Sequence, residues 1–257
     1  MGTLTGRTAL VTGGGRGIGR AISERLGRDG ALVAVHYGSN EAAAKDTVAT
    51  IEAAGGRAFA FRAELGVPGD AAALWAAFDE GVASHADRPG LDILVNNAGI
   101  GLYGRIHEIG EADFDRVFAV NAKAPFFVIK HGLERLRDGG RIITISSGVT
   151  RIAFPFTTAY SMTKGAVEVL THTLALDLGP RGITVNTVAP GIVDTDMNDW
   201  LTDPAERARA AAYSAFDRIG DPADIADVVA FVASDDARWV TGQRLDATGG
   251  SILGVAS

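Results

Sequence analysis

A phenol and an ammonium four residues apart, as in Tyr160-Ser-Met-Thr-Lys164, fall on one side of a helix and form a proton donor with its own tuner. A free tyrosine has a pKa of ~10 and is a poor acid at neutral pH, so a catalytic one needs a neighbour that favours phenolate. A cation at ~4.5 Å in a medium of effective dielectric ~20 supplies roughly 3.7 kcal/mol, nearly enough to bring Tyr160 to neutrality. Thirteen positions upstream (160 − 147), the strand-like run Arg141-Ile-Ile-Thr-Ile-Ser146-Ser147 ends in two hydroxyls. The C-terminal edge of a parallel strand is where an open α/β sheet binds its ligands.

The start of the chain reads as strand, glycine turn, helix: Thr8–Thr12, then Gly13-Gly-Gly15-Arg16-Gly17-Ile18-Gly19, then Arg20–Arg28. Glycines there let the backbone approach a pyrophosphate, and the free amides of the helix start attract its charge. The spacing is Thr-Gly-x-x-x-Gly-x-Gly, not the strict Gly-x-Gly-x-x-Gly of dinucleotide folds. About twenty residues on, the run Ala31–Val35 ends in His36-Tyr37-Gly38-Ser39-Asn40, where the cofactor ribose is read. No carboxylate stands there before Glu41 to repel a 2′-phosphate, and Arg16 can meet one, so the sequence predicts NADP(H) in preference to NAD(H).

The alternation continues with a helix over 40–54, a strand over 57–63, and Glu64 and Leu65 after it, within reach of an adenine edge. A helix over 69–85 precedes the buried strand Leu91–Val95 and the turn Asn96-Asn97-Ala98-Gly99, whose amides can tie strand ends while the glycine admits a cofactor. A long helical stretch is expected over 111–137, with Asn121 one turn before Pro125. After the helix of Tyr160 come the strand 182–188, Pro190-Gly191-Ile192-Val193, Thr195 and an alanine-rich segment, 194–216, expected to close over a substrate. A helix over 224–234 and a strand over 243–247 complete the alternation.

Composition sets outer bounds. The 257 residues, 47% hydrophobic and 21% charged, read as one α/β domain over 1–257 with material for a core. A net charge of −7 argues against a nucleic-acid surface, which needs clustered Lys and Arg. There is no cysteine, hence no disulfide or thiolate chemistry. His36, His85, His107, His131 and His172 are not at metal-ligand spacing and stand beside no Gly-x-Ser-x-Gly elbow, so neither a metal site nor a serine triad is expected. No cationic leader and no apolar run of about 18 residues is evident, so a cytoplasmic, membrane-free protein is expected.

Taken together, Thr12-Gly13-x-x-x-Gly17-x-Gly19, Asn96-Asn97-Ala98-Gly99, Asn121, Ser147, Tyr160-x-x-x-Lys164 and Pro190-Gly191 resemble the short-chain dehydrogenase/reductase family from Gly6 to about Gly250. The resemblance implies a Rossmann-type, doubly wound parallel sheet of seven strands, order 3-2-1-4-5-6-7, and a homotetramer packed partly through the helices of Asn121 and Tyr160. It implies Tyr160 as general acid or base, Ser147 on the substrate oxygen, and Lys164 on the nicotinamide ribose. Asn121 would hold a relay water, and Thr195 would contact the carboxamide. Glu64 departs from the aspartate more usual at its position. Val185-Asn-Thr-Val-Ala-Pro-Gly191 is similar to 3-oxoacyl carrier protein reductases. The expected reaction interconverts a carbonyl and a secondary alcohol, as a ketone or 3-oxoacyl reductase, with an NAD-dependent alcohol/polyol dehydrogenase or a non-catalytic NADP-binding redox sensor as alternatives. Ile100, Leu102, Phe154, Phe156, Met197 and Trp200 are the candidates for an apolar substrate pocket.

Overall fold

Strands covered on both faces have no side that must meet water, which is why they read here as unbroken apolar runs. The computed structural model describes residues 3–253. Its strands are β1 (Thr8–Val11), β2 (Leu32–Tyr37), β3 (Arg57–Arg62), β4 (Leu91–Asn96), β5 (Leu136–Ile145), β6 (Thr184–Pro190) and β7 (Arg244–Ala247). They form one sheet in the order β3-β2-β1-β4-β5-β6-β7, every pair parallel. This is the expected doubly wound, seven-stranded fold.

Among the described residues eight α-helices connect or flank the strands: α1 (Gly17–Arg28), α2 (Glu41–Ala53), α3 (Asp70–His85), α4 (Glu111–Phe118), α5 (Ala124–Gly132), α6 (Thr158–Leu178), α7 (Pro204–Ala211) and α8 (Pro222–Ala233). Alternate strand residues feed two cores. Ala9 and Val11, Val33 and Val35, Ile93 and Val95, and Ile143 and Ile145 pack with Ile22 and Leu26 of α1 and with Ile225 and Val229 of α8. Leu10, Ala34, Leu94 and Ile142 face the other way, onto Leu74, Trp75 and Phe78 of α3, Val128 and Ile129 of α5, and Leu178 of α6. Among the described residues no helix is long and apolar enough to cross a membrane.

The helix expected over 111–137 is interrupted and ends early. A π turn, Ala119–Lys123, separates α4 from α5, and its Ala124 amide bonds back to the Ala119 carbonyl. Pro125 lacks the N–H that would reach the Asn121 carbonyl one turn earlier, so the helix widens there. The chain turns after Gly132, and Arg137 lies in β5, which begins five residues before the Arg141 expected from the sequence.

Trp75 is 2% exposed, donates its indole N–H to the Val128 carbonyl at 2.9 Å and meets Phe78 edge-on at 5.2 Å. Trp75→Ala is expected to lower unfolding free energy by about 3–5 kcal/mol. Trp75→Phe keeps most of the area, so it costs less. Equilibrium denaturation of both variants checks this.

Candidate active site

The sheet order reverses at β1, between β2 and β4, and a cleft of about 1100 Å³ opens at the C-terminal strand ends there. Its wall includes Gly13, Gly15, Arg16, Gly17, Ile18 and Gly19 after β1, and His36, Tyr37, Gly38, Ser39 and Asn40 after β2. Glu64 and Leu65 after β3, Asn97, Ala98 and Gly99 after β4, and Ser147 after β5 join them, as do Tyr160 and Lys164 of α6. Pro190, Gly191, Ile192, Val193 and Thr195 close the far side. Of the expected site residues, only Asn121 and Leu102 are absent from this wall.

The glycine loop has the shape a pyrophosphate requires. Gly13 and Gly17 hold left-handed φ of 63° and 50°. A Cβ on Gly19 would collide with the Gly13 carbonyl and the Asn97 amide, and one on Gly15 would sit 3.0 Å from the Ala44 amide. Arg16 precedes α1 without a side-chain cap and no acid lies in the first turn, so the helix start offers free amides to an anion. Asn97 ties β4 to β1, its amide nitrogen donating to Thr12 O at 2.9 Å and its backbone N–H to Thr12 Oγ1 at 2.9 Å. Asn96 does not share this task; its Nδ2 is buried without a partner.

At the ribose end two of the expected residues also hold the protein's own main chain. His36 lines the cleft but works inward: it accepts from the Gly13 amide through Nδ1 at 3.1 Å and reaches Ala63 O through Nε2 at 2.9 Å. That fixes the neutral tautomer with its proton on Nε2. Asn40 spends its side-chain oxygen capping α2, accepting from the Ala43 amide at 3.0 Å. A cation the sequence reading missed stands beside them. Arg62 pairs with Tyr37 across β2 and β3 and donates to Gly38 O at 3.0 Å. The signal was the β2–β3 register, which places a strand-end arginine next to the ribose-reading residues. Arg16 is largely exposed, 3.8 Å from Asp196, a separation that contributes little. Glycines, helix start and two cationic side chains together fit a phosphorylated dinucleotide.

At the other end, α6 lies against the end of β5. Lys164 donates from Nζ to Ile145 O at 2.9 Å and stands 5.5 Å from the Tyr160 ring centre. Burial draws its ammonium down to about 8, still mostly protonated at pH 7. The expected lowering of the Tyr160 pKa by Lys164 does not appear. Burial pushes the phenol above its ordinary value, the nearby Tyr103 adds to that, and the hydrogen bond with Ser147 opposes it. Desolvation of the phenol outweighs the Ser147 hydrogen bond, and the Lys164 ammonium is engaged with the Ile145 carbonyl. Asn121 lies behind the wall, its Oδ1 accepting from the Ile100 amide and its Nδ2 donating to Ile100 O, both at 2.9 Å. Gly99 faces the space between Asn121 and Lys164, where a Cβ would lie 3.3 Å from Asn121 Oδ1 and 3.7 Å from Lys164 Nζ.

The apolar end of the cleft is made by Ile100, Phe154, Phe156, Met197 and Trp200 as expected, but Leu102 is not part of it. Tyr103 and Tyr213 join the wall instead; Phe154 is 5.8 Å from Phe156 and 6.1 Å from Tyr213, ring centre to ring centre. Ile252 also contributes, held by its amide on Tyr213 O at 3.0 Å in a left-handed turn. Nothing in the local sequence signals this last contact. The 194–216 segment is a kinked 3₁₀ stretch, Asp196–Thr202, followed by α7, and Thr195, Met197, Trp200, Arg209 and Tyr213 from it face the cleft.

Comparison with known proteins agrees with this geometry. A family model described as Enoyl-(Acyl carrier protein) reductase matches residues 13–251. Versicolorin reductase stcU of Emericella nidulans is 39% identical over 260 residues, 96% of each chain. The landomycin C-6 ketoreductase LanV, solved with NADP and rabelomycin, is 50% identical with a TM-score of 0.92, covering 98% of this chain and 99% of that one. The reductase LugOII, described as promiscuous and as catalysing keto-reduction at C1 in lugdunomycin biosynthesis, is 52% identical with a TM-score of 0.95, covering 98% and 100%. The chain belongs to the short-chain dehydrogenase/reductase family.

Burial holds His36 at about 4, below its ordinary 6.5. Between those values the unfolded chain takes up a proton that the native one refuses, so stability is full above pH 6.5 and falls as pH drops toward 4. From pH 7 to 5 the native protein is expected to lose about 2 kcal/mol more than His36→Asn, which has no proton to take up there. Denaturation midpoints at the two pH values measure the difference.

Proposed function

We propose that this protein is an NADPH-dependent ketoreductase of flat, polycyclic aromatic ketones. One observation carries the reading: the half-buried Tyr160 and Ser147 line the same cleft as the aromatic rings of Phe154, Phe156 and Tyr213. Aromatic faces favour a planar ring system at offset or tilted geometry. LanV with NADP and rabelomycin, LugOII and versicolorin reductase, all keto-reducing or reductase relatives by description, support it.

When bound along the glycine loop, NADPH would supply the hydride that the carbonyl carbon takes up. Ser147 donates a hydrogen bond to the carbonyl oxygen as negative charge develops. Tyr160 gives its proton to that oxygen, and the high pKa of the buried phenol is overcome as the alkoxide forms, a far stronger base. The Lys164 ammonium, 5.5 Å from the Tyr160 ring centre, would hold the nicotinamide ribose beside the phenol. Asn121 holds a water beside Lys164 in the space that Gly99 leaves free, and so returns a proton from solvent. Arg16 and Arg62 hold the 2′-phosphate, and the 194–216 segment closes over the ketone.

The same reading keeps the cytoplasmic address and a homotetramer. Support for the assembly comes from an exposed apolar stripe on α6, Met162, Val169 and Leu176, and from the exposed Phe126 of α5 and Trp239, 95% exposed.

Initial rates of NADPH consumption with a polycyclic aromatic ketone, set against a 3-oxoacyl thioester at equal concentration, test the substrate class; faster thioester turnover would overturn it. Tyr160→Phe should leave NADPH affinity intact and remove nearly all turnover. Arg16→Ala is expected to weaken NADPH binding about tenfold, with NADH unaffected, in fluorescence titrations. Equal weakening of both cofactors would remove Arg16 from the phosphate site.

A further inference from the structure

Outside the cleft wall, behind Ser147, stands a charged pair that the proposed chemistry does not use. Arg244 Nε donates to Glu168 Oε1 at 2.8 Å, with the two side chains only 7% and 17% exposed. A pair so far withdrawn from water is costly unless its remaining bonds are met. Here they are met by the segment that carries Ser147. Glu168 Oε1 accepts from Ser146 Oγ at 2.5 Å and lies 2.9 Å from Thr150 Oγ1. A second Arg244 nitrogen donates to the Ser147 carbonyl at 3.2 Å, and a third pairs with Asp246. The residue before Ser147, its own carbonyl and the residue three after it are thus fastened to one ion pair.

Glu168 also continues the pattern of the helix that carries the proton donor. Tyr160, Lys164 and Glu168 are successive steps of four along one face of α6. Tyr160 meets Ser147, Lys164 meets the Ile145 carbonyl, and Glu168 meets Ser146. Three consecutive residues at the end of β5 are therefore held by three turns of α6, and Arg244 adds a tie from β7. A hydroxyl that must meet a developing oxyanion loses its effect when displaced by about 1 Å.

We propose that Glu168 and Arg244 are positioning residues that set the Ser147 hydroxyl against Tyr160, so that the pair acts on turnover through Ser147 and not on cofactor binding. This rests on the ketoreductase reading above. A positioning role makes the effect of Glu168 depend on the presence of Ser147, whereas a purely structural role would add to any other defect.

The test measures kcat and KM for the ketone, NADPH affinity by fluorescence, and amide hydrogen exchange over residues 145–151. Glu168→Ala is expected to lower kcat about tenfold or more, with NADPH affinity unchanged within about twofold, and to speed exchange in that segment. Glu168→Gln keeps an acceptor at Oε1 and should recover most of the loss. On a Ser147→Ala background, Glu168→Ala should cost less than about a further twofold. Unchanged kcat and exchange in Glu168→Ala, or full additivity with Ser147→Ala, would overturn the proposal. If Glu168→Ala does not fold, Arg244→Lys, which keeps the charge and loses the fork that spans Glu168 and the Ser147 carbonyl, is held to the same criteria. Should the wild-type enzyme turn over no ketone, the ketoreductase reading fails, and the exchange comparison still decides whether the pair holds the Ser147 segment.

Discussion

A parallel sheet covered on both faces leaves only its strand ends open to a ligand, and the rest of this structure depends on that constraint. The helices that bury Val11, Val35 and Val95 on one side, and Leu10 and Leu94 on the other, make the sheet faces unavailable to chemistry. What remains is the C-terminal edge, where loops after β1, β2, β4 and β5 converge. The order reversal at β1 sends the neighbouring connections to opposite faces, and the cleft is the gap between them.

Main-chain and inward-facing side-chain bonds keep that edge in shape. Thr12 Oγ1 takes the amides of Asn97 and Ala98 at 2.9 and 3.0 Å, so the loop after β4 is registered directly on the loop after β1. His36 does the same for β2, joining the Gly13 amide to the Ala63 carbonyl. The glycine loop is thus fixed from both neighbours, and the amides at the start of α1 remain free for an anion. A polar residue lining a cleft can also hold the loop beside it, as His36 and Asn40 do here.

On the reaction side, burial is the dominant electrostatic effect. It raises the Tyr160 phenol and lowers the Lys164 ammonium, driving both toward their neutral forms. The π turn bearing Asn121 lies behind them, because Pro125 denies one carbonyl its helical amide. The Asn121 side chain bonds Ile100 on both its amide and its carbonyl, linking this turn to the loop after β4.

The fold was legible in the sequence because its signals are local. Apolar runs of strand length, glycines at 13, 15, 17 and 19, and helical spacing between Tyr160 and Lys164 all lie within a few residues of each other. They mark the alternation of strands and helices and most of the residues of the cleft wall; the strand order came from the family resemblance. The helix boundary at Gly132 and the early start of β5 were hidden, since Arg135 and Arg137 suit helix and strand alike and tertiary pairing decides between them. Leu102 was misplaced because apolar character near a loop does not say which way a side chain turns. Arg62 needed the β2–β3 register, and the Arg244 contact with Glu168 spans 76 positions. The sequence by itself determined which backbone could bind a dinucleotide and which helix face could carry proton chemistry. Only the tertiary structure decided the direction of the Tyr160 shift, the inward role of His36 and the tie behind Ser147. Desolvation and long-range contact are properties of the packed chain and of no single segment.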